Sequence, residues 1–463
     1  MPVSLPEAHP PRRAHLAGSV VLFGLCYVGY VKGAPILAQA PIDLTLVAGA
    51  LTGLAAGAHL LSRRPVDGRA VACVIGLWAV FAVGAVMTIG TQSGMTKIAL
   101  LNTLTLLCAL GPCLLLGSAS AQRLWLYLSV AAGLAVAAAA VVLRDAAAWA
   151  QFGRLNLAGT STIGTARVIG AAAVVATIML ALSRSRRWWW AAVAVSCTAA
   201  VVMVGSRGPA LALALAVLAA LLAGKVRRGR PAAALAGMVV IGTTVWAVIE
   251  SSARHPERIA RLLAGDLTDE AREGLLREAL SAIARNPLGV GWDGFGRLPA
   301  IQVTYGGRSI YPHNFIVEVF LEGGWLAGLV LLVLMVLSIR GYVRQSRSAE
   351  SAAMLGLGVY WLAVAQTSAD INGNRMTWAV LVLGLMYYFT TRDEGRAENE
   401  TRDETWTRAE TGTRRDARPR HEAGTRHEAG SRDEAGSRDE AGSRDEHRGG
   451  AARDDRRMVD CVA

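Results

Sequence analysis

The chain has 463 residues, 53% of them hydrophobic, with a mean hydropathy of +0.37 and a formal net charge of +12. A soluble protein of this size breaks its apolar runs with charge. Here apolar runs of about 18–25 residues recur from residue 16 to residue 391, each long enough to cross roughly 30 Å of hydrocarbon. That excludes a soluble globular domain, and no stretch alternates apolar and polar residues as a β-barrel strand does. The expected fold is an all-α polytopic membrane protein with about 12 transmembrane helices.

The charge divides unevenly. Residues 392–463 hold 16 Lys/Arg against 19 Asp/Glu, so the body before them carries the positive excess. That excess sits in short loops between apolar runs, where it orients a protein in the bilayer. A nucleic-acid partner would need it on one soluble face interleaved with aromatics, so no nucleic-acid binding is expected. Six cysteines at 26, 73, 108, 113, 197 and 462 form no CxxC pair and no metal spacing. They read as small hydrophobes rather than disulfides or zinc ligands.

In chain order, residues 1–14 form a cytoplasmic N-terminus, and the first apolar run reads as an uncleaved first helix. Spans are expected at about 15–31, 42–61, 70–90, 98–117, 122–143, 162–183, 188–205, 208–224, 231–249, 314–339, 351–369 and 376–391. Arginine clusters such as Arg63/Arg64/Arg69, Arg184/Arg186/Arg187 and Arg340/Arg344/Arg347 fall on one side. The opposite short loops hold mostly single charges such as Lys32, Lys97 and Arg375. Positive-inside then puts both termini in the cytoplasm. Trp188-Trp189-Trp190 fits an interfacial aromatic anchor.

On the outer side, residues about 144–161 suggest a short interfacial helix. The larger outer loop covers 250–313, within which Leu275, Leu276, Ala279, Leu280 and Ile283 recur at helical spacing. Asn286-Pro287 ends that helix, and Tyr311-Pro312 favours an extended lead-in to the next span. From Arg420 to Glu446 a six-residue charged unit with a recurring glycine repeats. Such a segment cannot bury enough surface to offset its ordering entropy, so 392–463 reads as a disordered cytoplasmic tail.

Two positions outside the tail invite chemistry. Arg207, in Gly205-Ser206-Arg207-Gly208-Pro209, stands where one apolar run ends and the next begins. It is either an arginine snorkelling to headgroups or an anion contact, since a guanidinium fork binds phosphate oxygens in bidentate fashion. His313 opens the tenth span, either as an interfacial or capping residue or as a general base. Arg272, Arg277, Arg285, Arg297 and Arg308 share the loop before it, and nearby cations favour the neutral imidazole that a base requires. Gly289-Val290-Gly291-Trp292-Asp293-Gly294 matches GxGxxG, but no strand precedes it, so it reads as a tight turn. Asp266, Asp269, Glu270 and Glu273 mix with arginines, which supports a paired-carboxylate hydrolase only weakly.

Taken in order, these residues resemble the O-antigen ligase and polymerase superfamily of membrane glycosyltransferases. Ser206-Arg207-Gly208 is similar to the family's arginine at the outer start of a span. Arg272, before the Asn286-Pro287 turn, is similar to its loop arginine. His313-Asn314, followed by Gly324, is similar to its histidine motif, and the match covers roughly residues 190–340. Ala327 stands where the family often has a second glycine, and Leu275 and Leu276 occupy a region where it often has an aromatic.

The resemblance implies transfer of a glycan from undecaprenyl diphosphate to an acceptor hydroxyl outside the cytoplasmic membrane, inverting and without a metal or other cofactor. Arg207 and Arg272 would be diphosphate ligands and His313 the base, with Arg277, Tyr311 and Asn314 in supporting substrate contacts. The expected partners are a lipid-linked glycan donor, a glycan or cell-envelope acceptor, and membrane lipid. A repeat-unit polymerase would use the same site and differ only in its acceptor. A transporter or flippase would instead carry charged or broken helices near mid-depth, and the spans read as nearly free of such charge.

Overall fold

The computed structural model describes residues 13–62, 66–88, 90–147, 149, 154–183, 185–223, 242, 270–305, 310–368 and 370–393. Among these the chain is helical, with no strand beyond one isolated bridge between Arg144 and Leu157. Twelve helices carry the argument. They are α1 (Arg13–Val31), α2 (Leu44–Leu61), α3 (Gly68–Val86), α4 (Gln92–Leu115), α5 (Ala119–Val142) and α6 (Thr162–Leu182). They continue as α7 (Arg187–Val204), α8 (Arg207–Ala223), α9 (Glu270–Arg285), α10 (Phe315–Gln345), α11 (Ala349–Val364) and α12 (375–393). Seven of them (α2 to α7 and α10) are long and apolar enough to cross a membrane.

The helices fall on the expected apolar runs, except that the run at 231–249 lies outside the described residues save residue 242. The tail after residue 393 and its repeat also lie outside them. Short polar residues start the helices as caps: Asp43, Asp67, Ser118, Ser161 and Ser348 each accept a backbone N–H of the following turn, which satisfies donors that a helix start leaves open. Residues 144–161 hold the expected short helix in part: Ala146, Ala147 and Trp149 are helical, and Trp149 N–H donates to the Asp145 carbonyl. The described segment also folds back on itself through the Arg144–Leu157 bridge and through Asp145 N–H to the Asn156 carbonyl. Asn156 and Thr165 are hydrogen-bonded side chain to side chain, which ties the segment to α6.

The bundle centres on α6, 89% of whose apolar window is inside the protein. Its run of Ala, Gly and Val lets neighbours approach closely, which is how helices gain contact where lipid removes the hydrophobic driving force. Gly133 of α5 leaves no room for a side chain against Ala172, nor does Gly356 of α11 against Ile178. A close crossing joins α10 and α12, where Gly341 lies against the carbonyl of Gly384. Cys26, Cys108, Cys113 and Cys197 are buried and unbridged, as small hydrophobes would be. Of the three consecutive tryptophans, Trp188 and Trp189 are exposed, whereas Trp190 is buried and stacks on Tyr127.

Contacts sort the helix ends into two groups. At one end Arg69 pairs with Asp393, Arg123 with Glu350, and Tyr387 donates to Gln122. At the other, Tyr30 donates to the Gly373 carbonyl, Trp292 N–H to Thr88, and Phe315 N–H to the Ala365 carbonyl. The second end receives the loop segments 270–305 and 310–314.

Because the α10–α12 crossing is backbone against backbone, Gly341→Leu should force the two helices apart at a cost of about 1–3 kcal/mol. Thermal unfolding of the purified protein in detergent should show a lowered midpoint. An unchanged midpoint would contradict the crossing.

Candidate active site at the loop-bearing end of the bundle

The start of α10 is held by the turn after α11. Asn314 caps α10, its side-chain oxygen accepting from Val317 N–H at 3.0 Å while its amide donates to the Gln366 carbonyl at 3.3 Å. The Gln366 side chain accepts from Ile316 N–H at 3.2 Å. His313, one residue before this cap, has φ of 55°. That left-handed conformation costs a non-glycine residue about 1–3 kcal/mol and persists only where its surroundings impose it. The capped helix on one side and buried Pro312 on the other do so. The imidazole is half-buried, and the Tyr311 ring lies over it with centroids 4.3 Å apart.

Arg207 reaches the same end from a distant part of the chain. Gly205 ends α7 in the left-handed conformation, Ser206 follows, and α8 begins at Arg207. Gly208 lies flush against Thr367, the neighbour of Gln366. The helix start bearing Arg207 and the one bearing His313 are therefore both seated on the 365–367 turn. The Arg207 side chain is exposed, as a group awaiting an anion in solvent or at a headgroup layer would be.

The loop arginines separate. Arg272 stands in the first turn of α9, and its side chain lies outside the described residues, as does Arg308. Arg277 is exposed and pairs with Glu273 one turn earlier at 3.0 Å, a contact along its own helix. Arg285 pairs with Glu278, and Arg297 donates to Thr91. α9 itself buries Leu275, Ala279 and Ala282 against Phe295, Ile301 and Leu321. Leu276 and Leu280, expected on the same apolar face, are exposed instead. The helix ends at Arg285, immediately before Asn286-Pro287, where expected.

The glycine turn is a fitted joint. Gly289 and Gly291 have φ of 86° and 79°, a region that glycine enters without steric cost. A side chain at Gly289 would strike the Glu322 carbonyl, and one at Gly291 the Met87 carbonyl. The turn lies so close because α10 is broken at Gly324, whose φ of 87° and ψ of 174° are not helical. Carbonyls that the break leaves open accept from the turn: Leu321 from Val290 N–H at 2.8 Å and Glu322 from Gly291 N–H at 3.2 Å. Trp292 is fully buried, donating through its indole to the Phe81 carbonyl and through its backbone to Thr88.

Beneath the turn lies a cluster of buried charge that corrects the expected loop placement of Lys97. Lys97, expected in a short loop, is buried within α4, and its ammonium donates to Glu318 and Glu322 of α10, each at 2.6 Å. Arg167 of α6 is buried too, donating to the Asn374 side chain at 3.0 Å and to the carbonyls of Val364 and Ser368. These residues stand about 5–10 Å along the axis from where their helices begin, near the loop-bearing end rather than at mid-depth. The 21 residues after the break are themselves enough to cross ~30 Å. The available signal was Glu318 and Glu322, four residues apart in an otherwise apolar run, which places both carboxylates on one face and calls for a buried partner. Nothing local names Lys97 as that partner.

Beside this cluster opens a cavity of about 650 Å³, lined by Gln92, Ser93 and Lys97 from α4, Asp293 from the glycine turn, Tyr311 from the lead-in, and Asp370 from the turn before α12. Tyr311 thus faces both the cavity and His313.

Removing the ammonium would leave two buried carboxylates uncompensated, so Lys97→Met should destabilise the fold by about 3–5 kcal/mol. Combining it with Glu318→Leu and Glu322→Leu should restore most of the loss. Melting temperature in detergent reads both outcomes, and a Lys97→Met protein as stable as wild type would contradict the pairing.

Residues 191–332 match the family model described as O-antigen ligase. No curated protein matches the chain. The match supports membership of that family over this stretch, which holds Arg207, Arg272, Arg277, Tyr311, His313 and Asn314. With seven helices long and apolar enough to cross a membrane, it fits a multi-pass membrane protein similar to O-antigen ligases.

Proposed function

We propose that this protein is a glycosyltransferase that moves a glycan from undecaprenyl diphosphate to an acceptor hydroxyl at the outer side of the cytoplasmic membrane. The observation that carries the proposal is the seating of Arg207 and His313 on one turn, 365–367, at the loop-bearing end. The family match spans both residues. A lipid diphosphate keeps its anionic head at such an end, and an arginine binds its oxygens with two parallel N–H donors while remaining charged.

In the proposed step, the acceptor oxygen attacks the anomeric carbon from the face opposite the diphosphate. The new C–O bond forms as the bond from the anomeric carbon to the diphosphate oxygen breaks, and that electron pair leaves with the lipid diphosphate. The acceptor proton passes to the His313 imidazole and then to solvent. Arg207 and Arg272 stabilise charge growing on the leaving group, the electrostatic role that most lowers such barriers, and no metal is assigned to the step. Asn314 supports the site by fixing the helix start behind His313, and Tyr311 by packing on the imidazole. Arg277 is a weaker candidate, because its described partner is Glu273. A repeat-unit polymerase would use these same residues and differ in its acceptor alone.

A transporter needs its polar groups at mid-depth. The buried charges here gather near one end, which favours chemistry at a membrane face.

Expression of His313→Ala, Arg207→Ala and Arg272→Ala in a host lacking its own activity tests the assignment. Transfer from lipid-linked glycan should fall at least ~100-fold in His313→Ala, the usual size of a lost general base. Arg207→Lys should retain more activity than Arg207→Ala, because it keeps the charge and loses the fork. Full transfer by His313→Ala would refute the site.

A further inference from the structure

The cavity beside Tyr311 differs in chemistry from the arginine-bearing helix starts. Its one cationic lining group, Lys97, is already engaged by two carboxylates at 2.6 Å each, so it offers no free positive charge. The other ionisable groups that define its walls are the carboxyls of Asp293 and Asp370 and the phenol of Tyr311. Arg297, held on Thr91 one residue before Gln92, is not among the lining residues. Among the described lining residues, a diphosphate or an acidic sugar would meet carboxylates with no free cation beside them.

The same walls suit a polyhydroxylated, non-acidic ligand. Carboxylates and the Gln92 amide accept from or donate to vicinal hydroxyls, and the Tyr311 ring offers an apolar face with a polar tip. The volume of about 650 Å³ lies in the range of ordinary small-molecule sites. Asp293 is committed to its place: its φ is 61°, left-handed for a non-glycine residue, in a turn tied to α10 and α3 by backbone hydrogen bonds. Asp370 is likewise fixed, accepting from Gly373 N–H at 2.8 Å. The backbone of Asp293 and the carboxyl of Asp370 are therefore set without a ligand. Because Tyr311 also packs on His313 at 4.3 Å, one side chain links the cavity wall to the residue assigned to take the acceptor proton.

We infer that this cavity is the acceptor saccharide site, and that it selects an uncharged or amine-bearing sugar over an acidic one. The inference rests on the transferase reading above for the word acceptor, and on the cavity alone for the sugar. Charge thus divides the two substrates, with the anionic donor at the arginines and the non-acidic acceptor at the aspartates.

Saturation-transfer NMR on the full chain in detergent micelles tests it, using methyl glucoside, glucosamine and glucuronate as probes. Methyl glucoside and glucosamine should receive saturation, with glucuronate about tenfold weaker, the discrimination that one charged hydrogen-bonding group supplies. Ser93→Trp, an exposed position on the cavity wall, should remove both signals while leaving the melting temperature unchanged. Asp293→Asn with Asp370→Asn should bring glucuronate level with glucosamine, and serves as the second test should Ser93→Trp fold poorly. Equal binding of glucuronate to wild type, or signals that survive Ser93→Trp, would overturn the assignment. If wild type binds no sugar while His313→Ala abolishes transfer, the cavity assignment falls and the transferase reading stands. Cavity-dependent binding together with full transfer by His313→Ala supports the sugar site and sinks the assignment of His313 as the base.

Discussion

Lys97 between Glu318 and Glu322 is the contact on which the loop-bearing end of this molecule depends. Burying three ionisable groups is costly unless each finds a partner, and here one ammonium serves two carboxylates across α4 and α10. That requirement fixes the height of α4 against α10 and holds the first two turns of α10 in place. Those turns begin directly after His313 and Asn314, so the position of the candidate base follows from an ion cluster one to two turns below it. The backbone continues the linkage, because the Lys97 carbonyl accepts from Asn372 at 3.1 Å, joining α4 to the turn before α12.

The break at Gly324 is the second constraint, and it follows from the same geometry. An unbroken α10 would satisfy its own carbonyls and leave the glycine turn without donors' partners. Once the helix opens, the Leu321 and Glu322 carbonyls receive the turn's N–H groups, and Gly289 and Gly291 permit the close approach. Trp292 then fills the space against Phe81. The turn that resembled a nucleotide-binding string is thus a structural joint, and it delivers Asp293 to the cavity wall. Packing of Gly328 against Phe320, with Ala327 buried beside Gly323, shows that small residues past the break suffice, so Ala327 in place of a second glycine leaves the joint intact.

Much of the candidate site was legible in the sequence. The polar loop ending in Tyr311-Pro312-His313-Asn314 stands out against apolar spans, and the residue that caps the following helix is Asn314, with His313 just before it. Arg207 was legible as a charge at a span boundary. What could not be read was their meeting, since it runs through Thr367 and Gln366, two ordinary polar residues at the end of α11. The buried stripe of α9 was half legible: periodicity located the helix, but which leucines face inward depended on the position of Phe295 and Leu321.

The sequence by itself determined the class of the molecule and the location of nearly every described helix, because hydropathy and capping are local properties read along one segment. It also determined which charged residues stand near helix starts. The tertiary structure alone decided which charges are buried together, where α10 breaks and where a cavity opens. The physical reason is that apolar helix faces are interchangeable as neighbours, so no local pattern tells α4 that its lysine reaches the acidic face of α10. Only once the bundle assembles does a lysine that looked like a loop residue become the partner of two glutamates, and only then does the end of the bundle acquire a shape that chemistry can use.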